Sequence, residues 1–202
     1  MRKTSNKLSQ KFYTRNVLKV AKELLGKTLV VEINDKPLSG KIVEVEAYDG
    51  SCDEAAHTFI GKTKRNEVMF ETGGLLYVYF TYGMYHCSNV VTGKENERTA
   101  VLLRAIEPID GIEEMALNRF GEKEITQRQK LNLTSGPGKL CMALGIDKSH
   151  NGTSLLENKI YILNNKKITE DKIVTTTRIG ISKSKELPWR FYIKDNPYVS
   201  KK

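Results

Sequence analysis

The sequence predicts an α+β fold in which a curved antiparallel sheet carries packed helices. Segments typical of strands and of helices are mixed without the strict alternation that builds a doubly wound parallel sheet. The 202 residues fit one compact domain, and no stretch rich in glycine, serine or proline divides them. We therefore expect a single domain over residues 1–202, with residues 1–10 as a flexible basic N-terminus.

The first half of the chain predicts one helix and then two pairs of strands. Apolar residues from Val17 to Leu25 recur at helical spacing, with Thr14 as the predicted cap and Gly26 as the end. Alternating and β-branched runs predict strands over residues 28–33, 41–48, 75–80, 84–91 and 99–106. Turn residues, namely Asn34, Asp35 and Pro37, join the first two. We expect these two strands to pair antiparallel, and 75–80 to form a hairpin with 84–91.

The second half turns helical and then returns to strand. Residues 112–119 and 139–144 predict helices, and Ser135, Gly136 and Pro137 are a start signal for the second one. Further strands are predicted over 159–163, 173–179 and 190–193.

Composition indicates a soluble protein with a polyanionic partner. The chain has 33 Lys and Arg against 24 Asp and Glu, a net charge of +9, which favours nucleic acid because each neutralised phosphate releases counterions. No apolar run approaches the roughly 20 residues of a membrane span, and residues 1–10 lack the apolar centre of a signal peptide. We expect a cytoplasmic protein. Cys52, Cys87 and Cys141 are odd in number and widely spaced, which predicts buried thiols rather than zinc ligands or a disulfide.

Two glutamates lie in the predicted strand 41–48. Alternation divides its side chains between two faces, with Val43, Val45 and Ala47 on the first and Ile42, Glu44, Glu46 and Tyr48 on the second. Spacing alone favours a solvated second face, because glutamate is usually exposed. Close carboxylates are also the groups that supply a general base or bind a metal. Asp49 and Asp53 nearby keep the metal alternative open.

The segment 75–85 is dense in tyrosine. Tyr77 and Tyr79 share a face by alternation, whereas Tyr82 precedes Gly83 at the predicted turn, where a side chain projects beyond the sheet. An amphipathic core hairpin explains the other apolar residues but not Tyr82. Wedging between the base steps of DNA is one of the few roles that suit an aromatic tip.

His57 and Arg104 are further candidates from residue type alone. A histidine without a partner motif is more often structural than catalytic. Arg104 lies within the apolar segment 101–105, and a buried arginine must be paired. A carboxylate site is therefore its predicted neighbour.

Five ordered motifs resemble the alkyladenine (3-methyladenine) DNA glycosylase family. The first reads Glu44, Val45, Glu46, Ala47, Tyr48 and is followed by Ala55, Ala56, His57. The others are residues 76–85 continuing to Asn89, then 101–105, 135–141, and 187–192 ending in 197–200. Together they span most of the chain in the family's order, and several ordered motifs are far more specific than any single one.

The resemblance implies that Glu46 is a general base. A carboxylate at this position would activate the water that attacks the sugar, and Arg104 and the backbone carbonyl of Ile179 would hold the same water. Glycosidic cleavage passes through an oxocarbenium-like state, so a carboxylate opposite the departing base can take the proton and stabilise the positive charge. No lysine adjoins the matched base position, which favours monofunctional hydrolysis over strand cleavage. No metal or other cofactor is expected.

The resemblance also implies a pocket for a flipped base. Tyr48, His57 and Tyr79 match its walls, and Asn89 matches a residue that crowds the 2-amino group of guanine. A purine alkylated at N3 or N7 is cationic, so tyrosine faces would hold it by stacking and cation–π attraction of about 0.5 to 2 kcal/mol. The implied substrates are alkylated or otherwise damaged purines in double-stranded DNA.

DNA contacts are implied at Tyr82, Met84 and Lys139. Tyr82 matches the residue that fills the gap left by the extruded nucleotide, on a protruding hairpin that also carries Met84. Lys139 falls in a helix-start motif where a phosphate contact is natural. We expect a monomer that associates with the nucleoid through DNA binding.

Two other functions are compatible with the same residues. The first is a metal-dependent phosphoesterase with Glu44, Glu46, Asp49 and Asp53 as ligands, which a chelator would inactivate. The second is a non-catalytic nucleic-acid-binding domain whose tyrosines stack on bases, which would release no product.

Overall fold

One antiparallel sheet of eight strands organises the molecule. The computed structural model describes residues 6–33, 36–81 and 83–201. Its strands are β1 (Thr28–Ile33), β2 (Lys36–Asp49), β3 (Leu76–Thr81), β4 (Tyr85–Thr92), β5 (Thr99–Asp110), β6 (Ile160–Leu163), β7 (Ile173–Thr176) and β8 (Arg190–Ile193). Their order is β3-β4-β5-β2-β1-β6, and β8 joins β2 to β7. The predicted antiparallel α+β fold is confirmed.

The sheet curls around the long strand β2. On one side, β5 pairs with β2 along residues 39–49. On the other side, residues 36–41 pair with β1 and residues 44–46 pair with β8. Because neighbouring strands twist relative to each other, two partners that diverge from one strand bend the sheet into a half-barrel. The part of β2 that holds both glutamates is thereby enclosed between β5 and β8.

Helices pack beside this sheet. In the described residues they are α1 (Gln10–Tyr13), α2 (Val17–Leu24), α3 (Ile112–Phe120), α4 (Gln127–Asn132) and α5 (Pro137–Ala143), with short 3-10 helices at Glu67–Phe70, Lys148–His150 and Glu170–Lys172. The inward stripe of α2 is buried, as its helical spacing predicts: Val17, Val20, Ala21 and Leu24. Across the described part of the chain, no helix has the length and apolar character that crossing a bilayer requires.

The helix starts differ from the sequence prediction. Asn16, not Thr14, caps α2, because its side chain accepts hydrogen bonds from the backbone N–H groups of Leu18 and Lys19 at 3.0 and 3.3 Å. Thr14 instead ends α1, a helix that the sequence did not predict. The helix α5 begins at Pro137 rather than at residue 139, since proline lacks an N–H and fits the first turn of a helix.

Several strand ends also differ. β2 begins at Lys36, and β4 begins at Tyr85, so Met84 lies in the hairpin turn. β7 ends at Thr176 instead of residue 179, because the chain leaves the sheet there and turns toward β2. The turn residues Asn34 and Asp35 lie outside the described residues.

Three register shifts interrupt the pairing of β2 with β5, one between Ser39 and Gly40 and two compensating bulges beside the glutamates. Ile42 pairs with Ile106 and Glu44 with Ala105, which leaves Val43 as an extra residue on β2. Val45 then pairs with Leu103, which leaves Arg104 as an extra residue on β5. Bulges re-aim side chains and recur beside active sites.

The bulges correct the predicted faces of β2. Ile42 packs in the main hydrophobic core with Val45 and Ala47, whereas Val43 packs in a separate cluster with Ala105 and Tyr198. Strict alternation fails here because an extra residue shifts the following side chains to the opposite face.

Lys7 and Leu8 of the N-terminal segment contact β6. The backbone N–H of Leu8 donates to the carbonyl of Ile162 at 2.9 Å, and the Leu8 side chain is buried. The flexible N-terminus over residues 1–10 stays a prediction, and residues 1–5 lie outside the described residues.

Candidate active site

Glu46 lies near the C-terminal end of β2 with 0% of its surface exposed. Its Oε1 accepts a hydrogen bond from the backbone N–H of Ile179 at 2.8 Å and lies 3.2 Å from Nη1 of Arg104. Its Oε2 accepts a hydrogen bond from the Tyr48 hydroxyl at 2.9 Å. A carboxylate has about four acceptor positions, so Oε2 keeps one that no group in the described residues fills.

Glu44 is the centre of a buried ion network beside Glu46. The Nε atoms of Arg104 and Arg190 both donate to its Oε1, at 2.9 and 2.7 Å. Ser200 donates its backbone N–H to Oε2 at 2.6 Å and its hydroxyl to Oε1 at 2.9 Å. Burial alone would raise the pKa of Glu44, but Arg104, Ser200 and Arg190 together lower it.

These contacts overturn the solvated face that spacing alone favours. Both Glu44 and Glu46 are fully buried, because β5 and β8 flank this part of β2 and arginines satisfy the carboxylates. The prediction that Arg104 has a carboxylate neighbour is confirmed, since it contacts both glutamates.

A second buried ion pair fixes the segment after β7. Both terminal nitrogens of Arg178 donate to the carboxylate of Asp53, with Nη2 to Oδ1 at 2.8 Å. Nη1 of Arg178 also donates to the carbonyl of Ala47 on β2 at 3.1 Å. The neighbouring Ile179 is thereby held against β2, so its N–H reaches Glu46. The resemblance implies a role for the Ile179 carbonyl as a holder of the attacking water, and that role stays a prediction.

Arginines already pair with the carboxylates that the metal alternative needs. Glu44 contacts two guanidinium groups and Asp53 contacts one. Asp49 accepts hydrogen bonds from the backbone and hydroxyl of Ser51. A divalent cation would have to displace these positive charges, which disfavours a metal site at this position.

A cavity of about 570 Å³ opens beside Glu46. Tyr48, Arg104 and Ile179, the groups that bond to Glu46, all line it. The carboxylate therefore lies one layer behind the cavity surface. Ligand pockets commonly measure about 300 to 1,000 Å³, so the volume suits a single nucleobase and its sugar.

Aromatic rings form one wall of the cavity. Tyr77 and Tyr79 stack with their centroids 5.5 Å apart, and His57 meets Tyr79 edge-on at 4.5 Å. His57 Nδ1 lies 3.1 Å from the Tyr77 hydroxyl. Burial, and after it the charge of Arg65, lowers the pKa of His57 to about 4, so the imidazole is neutral at pH 7. Asn89 is buried in the same wall and donates to the Tyr77 carbonyl at 3.3 Å.

Tyr48 lies between the cavity and the second ion pair. The guanidinium carbon of Arg178 is 4.6 Å from the centre of the Tyr48 ring. Burial, and after it the neighbouring Glu46, raises the pKa of Tyr48 well above its ordinary value, so the hydroxyl stays a donor. The predicted pocket residues Tyr48, His57, Tyr79 and Asn89 thus line one cavity, and their contact with a base stays a prediction.

Comparison with known proteins assigns the family. A family model described as methylpurine-DNA glycosylase matches residues 11–197. The chain belongs to the methylpurine-DNA glycosylase family. The family predicted from the sequence motifs is confirmed, and with it the assignment of the chain as an enzyme of DNA repair.

Close relatives align over almost their whole length. A Clostridium novyi protein named "Putative 3-methyladenine DNA glycosylase" is 51% identical, and the alignment covers 97% of this chain and 99% of that protein. Proteins of the same name from Alkaliphilus oremlandii and Carboxydothermus hydrogenoformans are 50% and 52% identical. They cover 97% and 96% of this chain, and 100% and 99% of their own length.

In this member of the family, the hairpin of β3 and β4 presents apolar side chains to solvent. Phe80 is 51% exposed and Met84 is 63% exposed. Gly83 has a φ of +67°, which suits glycine in the turn. Tyr82, the predicted wedge, lies outside the described residues, so insertion of the hairpin into DNA stays a prediction.

Lys139 lies in the first part of α5, as the helix-start motif predicts. Its ammonium group donates to the side chain of Asn132. Burial, and after it the charge of Arg119, lowers the pKa of Lys139. Its contact with a DNA phosphate stays a prediction.

The sequence analysis missed the partners that come from distant segments. Arg190 could have been found by the rule that selected Arg104, because it also lies in an apolar strand. Ser200 falls in a matched motif, yet nothing in the motif predicted its bonds to Glu44. Lys183 lines the cavity without any sequence signal, and Arg65 lines it although no role was assigned to Arg65 from the sequence.

The cysteines follow the prediction in part. Cys87 and Cys141 are buried, and Cys87 lines the cavity. Cys52 is exposed, because it lies in the turn that follows β2. The prediction of buried thiols is therefore wrong for Cys52.

Proposed function

We propose that this protein hydrolyses the N-glycosidic bond of damaged purines that are flipped out of double-stranded DNA, with Glu46 as the general base. The observation that carries the proposal is the position of the Glu46 carboxylate directly behind a cavity walled by tyrosine and histidine rings. We propose that it acts as a monomer, in the cytoplasm at the nucleoid.

Oε2 of Glu46 is the atom that we assign to the attacking water. It accepts one hydrogen bond, from Tyr48, whereas Oε1 is held by Ile179 and Arg104. Because the carboxylate is fully buried, nucleotide entry must shift the Tyr48 side chain enough to admit a water. The proton then passes to Oε2 as the water attacks the sugar.

Arg104 and Glu44 hold the Glu46 carboxylate in position. Arg104 donates to Glu44 through Nε and contacts Glu46 through Nη1. Glu44 is itself held by Arg190 and Ser200. A carboxylate fixed in this way stabilises positive charge on the sugar in the transition state without reorganising.

The aromatic walls favour an alkylated purine. Tyr48 and Tyr79 offer π faces within the same cavity, and a purine alkylated at N3 or N7 is cationic. Stacking and cation–π attraction would hold it with about 0.5 to 2 kcal/mol. The same positive charge makes the base a better leaving group.

Hydrolysis without strand cleavage is part of the proposal. Lys183 lines the cavity, but its ammonium lies 3.5 Å from Glu54 and its side chain is 66% exposed. A Schiff base would require that lysine to lose its proton and leave its partner. A protein–DNA adduct trapped by borohydride would contradict monofunctional hydrolysis.

The test is a panel of duplexes that each contain one damaged base, incubated with the protein and a chelator. We expect free base and alkali-labile sites for alkylated purines. Loss of product in the chelator, with recovery on adding a divalent cation, would favour the metal-dependent phosphoesterase. Binding without any released base would favour the non-catalytic domain.

A first prediction concerns Asn89, which lies in the cavity wall. Asn89→Gly should raise release of 7-methylguanine relative to hypoxanthine by about tenfold, the scale on which a pocket discriminates one small group. The reason is that guanine-derived bases carry a 2-amino group and hypoxanthine does not. Single-turnover release of both bases measures the ratio.

Asn89→Ala is the matched variant for this prediction. Glycine in a strand costs about 0.5 to 1 kcal/mol relative to alanine, so the alanine variant separates pocket shape from backbone freedom. An unchanged ratio in both folded variants would show that Asn89 does not discriminate.

A second prediction concerns Tyr82, from its place in the hairpin motif. Tyr82→Ser should weaken binding to a duplex with a flipped lesion by about 1 to 3 kcal/mol, the range of one stacking contact. Salt-dependent binding to undamaged DNA should barely change, because lysines and arginines determine it. Equal losses on damaged and undamaged duplexes, measured by titration, would argue against a wedge.

A further inference from the structure

Arg65 lies at the rim of the cavity with a charge that the mechanism above does not use. Its guanidinium carbon is 5.3 Å from the centre of the Tyr79 ring, which is a cation–π distance. The side chain is exposed, yet it lines the cavity that we assign to the flipped base. Tyr79 therefore already has one cation over its ring.

The loop that carries Arg65 is held by the residue that follows it. Asn66 is buried, and its Oδ1 accepts a hydrogen bond from the Thr63 backbone N–H at 2.7 Å. Its Nδ2 donates to the carbonyls of His57 and Gly61 at 2.8 and 2.9 Å. Because these bonds tie the loop to the cavity wall, the fold itself places Arg65 at the rim.

The other cations of the cavity wall are matched by carboxylates. The matched contacts are Arg104 with Glu44 and Glu46, and Lys183 with Glu54. No carboxylate of the residues that the structure describes forms an ion pair with Arg65 within 4.0 Å. His57 is neutral at pH 7, because its pKa is lowered to about 4 by burial and then by Arg65. Arg65 is thus the unbalanced positive charge of the cavity wall in the described residues.

We propose that Arg65 is a specificity-determining residue that opposes the preference of the tyrosine walls for cationic alkylated purines and so favours neutral 6-oxopurines. The proposal rests on the function proposed above. An arginine fork donates to the O6 and N7 acceptors of a purine, and hypoxanthine keeps both acceptors. The base 7-methylguanine has lost the N7 acceptor, and its positive charge on Tyr79 would lie beside the like charge of Arg65.

The test is Arg65→Met, which keeps an extended apolar stem and removes the charge. Single-turnover release of hypoxanthine and of 7-methylguanine is measured from otherwise identical duplexes. We expect the ratio of the hypoxanthine rate to the 7-methylguanine rate to fall about fivefold, or about 1 kcal/mol at 1.4 kcal/mol per factor of ten.

Lys64→Met is the matched control. Lys64 is an exposed cation in the same loop that does not line the cavity, so its removal changes the net charge equally and should leave the ratio unchanged. Equal thermal unfolding midpoints of the variants and the wild type check that Arg65→Met is folded.

Two results would overturn the inference. One is an equal change in both rates with Arg65→Met, which is the behaviour of a phosphate contact. The other is the same change of ratio with Lys64→Met. A wild-type protein that releases neither base would instead remove the proposed function, and the inference with it.

Discussion

Glu46→Gln is expected to lower the single-turnover rate of base release between about 10²- and 10⁴-fold, the contribution of a general base. The amide keeps an oxygen that can accept from Ile179 and Arg104, the groups that hold Oε1, but it cannot take a proton from water. Binding to a damaged duplex should therefore persist while release stops. Rate measurements with enzyme in excess, beside a binding titration, separate the two effects.

The control for Glu46→Gln is Glu107→Gln. Glu107 also lies on the β2–β5 pair, but it bonds to Lys41 at 2.6 Å and its side chain is 34% exposed. Removing that charge should change base release little. A rate for Glu46→Gln close to that of wild type would remove Glu46 from the role of base.

Glu44→Gln is expected to lower the free energy of unfolding by about 3 to 5 kcal/mol, the cost of breaking a buried ion pair from one side. The change replaces a carboxylate that receives donors from Arg104, Arg190 and Ser200 with an amide whose NH₂ faces those donors. Urea denaturation at pH 7 measures the loss. Glu107→Gln should cost at most about 1 kcal/mol, as for a partly exposed pair. Equal losses in the two variants would show that the Glu44 network stabilises no more than a surface pair.

The same network makes the stability of the protein depend on pH. The pKa of Glu44 is lowered in the folded state, where burial opposes the shift and Arg104, Ser200 and Arg190 produce it. A lowered pKa stabilises the fold at pH values above the pKa of the unfolded chain, and this stabilisation is lost as the pH falls through the folded value. Glu44→Gln should therefore weaken the dependence of the free energy of unfolding on pH in the acid range.

The rate of base release by Glu44→Gln should fall less than that of Glu46→Gln, when both are measured at a temperature where the variants are folded. A comparable loss of base release in both variants, with recovery on adding a divalent cation, would favour the metal site.

The sequence predicted the strands with local signals and missed features set by distant contacts. The strand 190–193 and the strand 28–33 have the predicted bounds, because β-branched and aromatic residues mark them. The faces of β2 could not be predicted, since the bulges at Val43 and Arg104 depend on pairing with another strand. The helix α1 is one turn long and has no side-chain cap, so its pattern was too short to recognise.

The candidate site was predicted from residue types and family motifs, but most of the contacts within it were not. Arg104 in an apolar strand predicted a carboxylate partner, and the structure supplies two. The contact of Glu46 with Ile179 spans 133 residues, and no periodicity extends that far. The roles of Glu46 and Tyr82 in the reaction are proposals that rest on the family motifs.

The wide separation of these contacts bears on how the protein acquires activity during folding. The donors that reach Glu44 come from residues 60, 146 and 156 positions further along the chain. Closing such long loops lowers the chain entropy before the contacts that they bring together can stabilise the fold. Helices and the strand pairs that are local in sequence, β1–β2 and β3–β4, can thus form while Glu44 and Glu46 still lack their partners from β5 and β8. Recovery of base release after dilution from denaturant should accordingly trail recovery of secondary structure.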